Sequence, residues 1–162
     1  VVRSAYRTAL EGFAFPYGDV AVGGWRNSPY VVIQNVGAYL DIPRFLDSEH
    51  QVRDAAGAET WLARLARYPA VLDGELERMR QARAVGLIPP DFLIDKALSQ
   101  LEATSSGVSL ARLADTKLDK YPGLPMQAKR IIAEQVRPAL LRQIEELKAQ
   151  RALATSDAGM WA

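Results

Sequence analysis

Between Asp54 and Gly86 apolar residues recur at steps of three and four: Trp61, Leu65, Tyr68, Leu72, Leu76 and Met79. That period belongs to an α-helix and gathers all six side chains on one buried stripe. Arg64, Arg67, Asp73, Glu75, Arg78 and Arg80 fall off the stripe and are assigned to water. Glu75 and Glu77 each precede an arginine, Arg78 and Arg80, by the spacing of helix-surface ion pairs. Asp54 suits an N-cap, and Gly86 stands where a left-handed residue would end the helix. Pro69 cannot donate to the carbonyl of Leu65, so the stretch reads as two helices, or one kinked helix, sharing a buried face. This is a scaffold and carries no evident chemistry.

The remaining segments follow the same logic. Val1 to Phe13 reads as a short helix with Ala5 and Leu10 inward, joined by Tyr6 and Phe13. From Phe15 to Asn35, Pro16, Gly18, Gly23, Gly24, Asn27 and Pro29 punctuate the run. Val20-Ala21-Val22 and Tyr30-Val31-Val32-Ile33 are short apolar runs whose spacing permits a hairpin without demanding one. Gly37 to His50 reads as loop-like, with Pro43 limiting any helix and Phe45-Leu46 anchoring it. Pro89-Pro90-Asp91 opens a helix with Ile94, Ala97, Leu98 and Leu101 inward, ending near Ser105-Ser106-Gly107. Val108 to Lys120 reads as a solvated, weakly helical connector, and Tyr121-Pro122-Gly123-Leu124-Pro125 as a breaker. The last helix spans Met126 to Arg151 with Ile132, Val136, Leu140, Ile144 and Leu147 inward and a kink expected at Pro138. The fold class is therefore all-α, a bundle-like domain with room for one small β-hairpin near residues 20–33.

Length and charge exclude several classes of function. A chain of 162 residues is one domain and buries roughly two thirds of its unfolded surface. Twenty Lys and Arg against 19 acids leave no global field for nucleic acid or a membrane surface. The arginines of the long helix read as a solvated face, so no nucleic-acid partner is expected. No apolar run approaches the ~20 residues that span a bilayer. There is no Cys and one His, which excludes thiolate sites and any two-histidine metal helix. No nucleophile elbow, phosphate-cradling glycine loop or dinucleotide fingerprint occurs. No catalytic residue and no metal ligand is assigned, and the chain itself is expected to hold no cofactor.

Two polar stretches hold groups capable of chemistry. Asp47-Ser48-Glu49-His50 brings carboxylates beside an imidazole, as acid–base work requires, but it equally describes a helix end whose His caps carbonyls. Trp25, Arg26, Asn27, Tyr30, Gln34 and Tyr39 interleave aromatic and polar groups on a punctuated segment. Arg26 would grip a carboxylate and Trp25 or Tyr30 supply a stacking surface, making these six the candidates to line a substrate cleft. The alternative has the same aromatics sealing the edge of the core.

Several stretches in order resemble a known family: Gly18-Asp19-Val20-Ala21-Val22-Gly23, Trp25-Arg26-Asn27-Ser28-Pro29-Tyr30-Val31-Val32, and Asn35-Val36-Gly37-Ala38-Tyr39 leading to Pro43-Arg44-Phe45-Leu46-Asp47. Trp61-Leu62-Ala63-Arg64-Leu65, Ala84-Val85-Gly86-Leu87-Ile88-Pro89-Pro90 and Val136-Arg137-Pro138-Ala139-Leu140 continue it. Together, from about Asp19 to Ala162, they resemble bacterial domain-of-unknown-function family 885 (DUF885). The resemblance implies large, mostly helical, often exported proteins similar to zinc metallopeptidases, with a histidine-rich zinc helix well downstream of the part matched here. Asp157-Ala158-Gly159-Met160-Trp161 resembles the segment that leads toward that site. The expectation is that residues 1–162 form a single helical domain excised from a larger protein, a non-catalytic scaffold of a zinc hydrolase whose parent, not this chain, binds zinc. Its partners would be the rest of the parent polypeptide, with self-association, and its location exported or periplasmic. The alternative is a helical protein–protein interaction module with no enzymatic role.

Overall fold

The structure, a computed structural model, describes residues 3, 4, 7 and 28–157. Arg3, Ser4 and Arg7 are helical; the rest of the expected Val1–Phe13 helix and the Val20-Ala21-Val22 run lie outside the described residues. The chain is mainly helical, and no strand occurs among the described residues. The second apolar run, Tyr30 to Ile33, closes a tight turn instead, with Ile33 and Val36 exchanging backbone hydrogen bonds of 3.0 and 3.1 Å.

The helices are α1 (Ala38–Arg44), continued by a π-turn (Phe45–Glu49), then α2 (Ala55–Ala84), α3 (Asp91–Ser105) and α4 (Val108–Leu118). Next come α5 (Leu124–Ile131), a second π-turn (Ile132–Val136) and α6 (Arg137–Arg151), without interruption. α2 starts where its cap dictates, for the Asp54 carboxylate accepts from the Gly57 N–H at 2.7 Å. It runs through Pro69 as a single helix. It ends on a double tie, Leu87 N–H to the Ala82 carbonyl and Gly86 N–H to that of Arg83, which requires the left-handed φ of +79° at Gly86.

The six stripe residues of α2 are buried, as are all five expected on the last helix. α6 lies parallel to α2. Gln143 donates to the Leu72 carbonyl at 2.9 Å and Gln150 to that of Met79 at 3.1 Å, a separation of 71 residues both times. α3 runs antiparallel to α6, tied by Asp91 N–H to the Thr155 carbonyl and by Arg151 to Asp95 at 2.7 Å.

Two expectations are corrected. The segment expected to be loop-like is helical from Ala38 to Glu49, because Pro43 removes only its own bond to the Tyr39 carbonyl, and the backbone then passes into the π-turn, closed by His50 N–H on the Phe45 carbonyl. At Pro138, where a kink was expected, a π-turn precedes the proline, with the Arg137 N–H on the Ile132 carbonyl. Val108 to Leu118 is a full helix rather than a solvated connector, since Leu110, Ala114 and Leu118, one turn apart, enter the core.

Candidate functional site

The segment from Ser28 to Tyr39 carries the three described candidates, Tyr30, Gln34 and Tyr39, and side chains beneath it fix its course. Ser28 Oγ accepts from the Tyr30 N–H at 3.1 Å. Tyr30, Val31 and Val32 lie beside Met79, Ala82, Leu87 and Pro89 at the closing end of α2. Gly37 then turns the chain into α1 at φ +141°; a Cβ there would meet the Tyr39 ring at 2.9 Å, so only glycine fits. Tyr39 is 1% exposed and packs in the core, its hydroxyl 3.0 Å from the Ile33 carbonyl and 2.7 Å from the Gln100 side-chain amide. Of these two acceptors for the one phenolic proton, Gln100 Oε1 is the nearer.

The turn into α1 is held by a carboxylate. Glu75, assigned to water from its spacing, is only 7% exposed. Its Oε1 accepts from the Ala38 N–H at 2.8 Å, the first orphan donor of α1, and its Oε2 accepts from Gln143 Nε2 at 3.1 Å. Burial raises the Glu75 pKa, the two hydrogen bonds and Arg78 pull it back, and Asp41 adds to the rise. Tyr68, two turns earlier on the same side of α2, is pushed well above the usual phenol range by burial and by the Glu75 charge. The Tyr68 hydroxyl, Gln143 Oε1 and Gln34 Oε1 are buried without a hydrogen-bond partner among the described residues.

Of the six cleft candidates, Trp25, Arg26 and Asn27 lie outside the described residues. Tyr30 and Gln34 are half-buried on the segment, and burial raises the Tyr30 pKa. Sequence reasoning missed Glu75, Gln143, Glu146 and Gln150 as buried groups. The expected Glu75–Arg78 and Glu77–Arg80 pairs give way to other partners: Glu75 takes Ala38 and Gln143, Gln81 donates to Glu77, and Arg80 lies 3.9 Å from Glu146, which also takes Arg83 through bonds of 2.7 and 3.1 Å. A signal existed, since positions 143 and 150 keep helical step with Leu140, Ile144 and Leu147.

His50 is buried at 7% exposure and fully engaged. Its Nε2 lies 3.2 Å from the Gly57 carbonyl and its Nδ1 2.8 Å from Arg64, which only donates; the ring is therefore neutral with the proton on Nε2. Desolvation lowers its pKa; Arg64 and Lys117 lower it further against the pull of the Gly57 carbonyl. The ring meets Phe45 edge-on at 6.4 Å, and Arg64 covers the Phe45 face. Asp47 and Glu49 point to solvent, so the cluster does not converge. No group of three or more His, Cys, Asp or Glu among the described residues is placed to hold a metal. With both nitrogens of the one His occupied and no thiol, the donor set does not fit zinc.

A family model described as "Bacterial protein of unknown function (DUF885)" matches residues 1–160. The chain belongs to this family. No curated protein matches its sequence. A solved structure, titled "The crystal structure of the putative lipoprotein from Colwellia psychrerythraea", shares the fold with a TM-score of 0.83 at 20% identity. The match covers 96% of this chain and 29% of that one, so the DUF885 chain described here spans less than a third of its structural neighbour. No helix among the described residues is long and apolar enough to cross a membrane.

Proposed function

We propose that this chain is a non-catalytic helical scaffold within a larger, exported zinc-hydrolase-like protein of its family. In this reading it presents Tyr30 and Gln34, with the preceding Trp25, Arg26 and Asn27, as one wall of a substrate cleft. The observation that supports it is the Glu75 tie, in which three separate elements meet on one buried carboxylate where the segment enters α1. Such a tie holds backbone in place and performs no chemistry. The lipoprotein title of the structural neighbour favours export. Zinc belongs to the parent in this proposal, since the donors here do not fit it.

The test compares this chain with a longer polypeptide continuing past Ala162. The longer protein is expected to contain one zinc and to cleave peptides, and the short chain to do neither. In the longer protein Glu75→Ala should raise KM more than it lowers kcat. Peptide cleavage by the short chain alone would overturn the proposal. A longer protein without zinc or hydrolysis would support the second reading, an interaction module, which the exposed Met126, Leu141 and Leu153 favour.

A further inference from the structure

A groove of about 360 Å3 lies between the connector after the first π-turn and the C-terminal end of α4. Its wall is basic: Arg53 from the connector, Lys117 from α4 and Lys120 from the turn beyond it, opposed by Asp119. Cations that join helices elsewhere are matched to carboxylates, Arg83 to Glu146, Arg142 to Asp73 and Arg151 to Asp95. The groove differs. Arg53 donates to Gln51 Oε1 at 3.2 Å, and neither Arg53 nor Lys120 has a carboxylate in ion-pair range among the described residues. Lys117 is set at the groove by the Asp47 carbonyl, with the Asp47 carboxylate 4.0 Å away. It thereby covers the carbonyl end of the π-turn, which would otherwise repel an anion. Tyr121 lines the same space.

We propose that this groove binds a phosphate group, held by Arg53, Lys117 and Lys120 with the Tyr121 hydroxyl as a further donor. A guanidinium fork and two ammonium groups supply charge-assisted bonds to several oxygens of a dianion at once. The site is distinct from the Ser28–Tyr39 segment and does not depend on the function proposed above.

The chain contains a reporter. His50 is the single histidine, two residues from both Ser48 and Val52 in the groove wall, and it already feels the Lys117 charge. Inorganic phosphate titrated at low ionic strength should shift the His50 ring resonances saturably and raise the pH of its titration midpoint, because an anion beside Lys117 offsets the cation. Chloride at matched ionic strength should not. Arg53→Ala and Lys120→Ala, both at exposed positions, should each weaken phosphate binding about tenfold, the size of one charge-assisted bond. Lys120→Arg should retain it. Far-UV spectra check that each variant is folded. A shift that never saturates, that chloride reproduces, or that survives intact in the Arg53→Ala/Lys120→Ala double variant would overturn the site.

Discussion

Glu75 and His50 are both buried and titratable, and they act on stability in opposite directions. Burial places the folded pKa of Glu75 above its ordinary value of 4.5. Between those values the folded chain holds more protons than the unfolded one, so this contribution falls as pH rises. The folded pKa of His50 lies below 6.5, so between those values the unfolded chain holds more protons and stability falls as pH drops. Glu75→Gln removes the first slope and keeps an acceptor for the Ala38 N–H. Its urea-denaturation stability should rise with pH up to about 6.5 and level off above, whereas the parent chain should rise less steeply above pH 4.5, because the Glu75 slope opposes that of His50. A decline with pH that persists in Glu75→Gln would assign the slope to another group. Glu75→Ala should cost about 1–3 kcal/mol, because it strands the Ala38 N–H and one of the two Gln143 amide hydrogens, the other staying on the Leu72 carbonyl.

Among the elements, α2 is the longest, and its two ends and its middle make separate demands. Gly74 lies inside it, and a methyl group added there would have nothing within 4 Å, so Gly74→Ala should stabilise the chain by about 0.5–1 kcal/mol through helix propensity. Gly86 is equally open but sits at φ +79°, so Gly86→Ala should destabilise by about 1 kcal/mol. The pair isolates backbone conformation from packing, since neither methyl meets a neighbour. Chemical denaturation decides: shifts of the same sign would show that the left-handed turn does not hold the end of α2. The two π-turns make a related point. Each lies near a proline, Pro43 or Pro138, and bonds its backbone in a wider register, so the chain stays helical past Pro43, where a loop was expected, and past Pro138, where a kink was.

For the whole molecule, donor chemistry and exposed apolar surface carry the expectations. Elemental analysis of the purified chain should find no stoichiometric zinc; one zinc per chain, lost in His50→Ala, would revive the His50 loop as a site. Leu141 is 43% exposed beside Arg80 and Arg142, and Met126 and Leu153 are more exposed still. Ile131, which with Leu141 flanks the inner stripe of the last helix, is half-buried, and Met160 and Trp161 lie outside the described residues. Covering a few hundred Å2 of such surface offers several kcal/mol at ~25 cal/mol per Å2 before association entropy is subtracted. Light scattering after size exclusion should therefore show self-association of this chain, relieved in a longer polypeptide. A stable monomer that gains nothing from extension would count against a covered face.

By itself, the sequence determined the helical class, the α2 stripe, the Asp54 cap, the Gly86 stop and the inner face of α6. Each of these depends on residues within a turn or two of one another, where helix period and backbone sterics decide. The burial of Glu75, Gln143, Glu146 and Gln150 was decided by the tertiary structure. Their partners stand 37 to 71 residues away, apart from the Gln150–Glu146 contact within α6. A polar residue at the margin of a stripe reads as solvated until a distant donor or carbonyl is brought to it. The same holds for Tyr39, whose place in the core follows from the Gly37 turn and the Glu75 tie. Hydrophobic period marks which face is buried, but only the packing of α6 beside α2 determines which polar groups are buried with it.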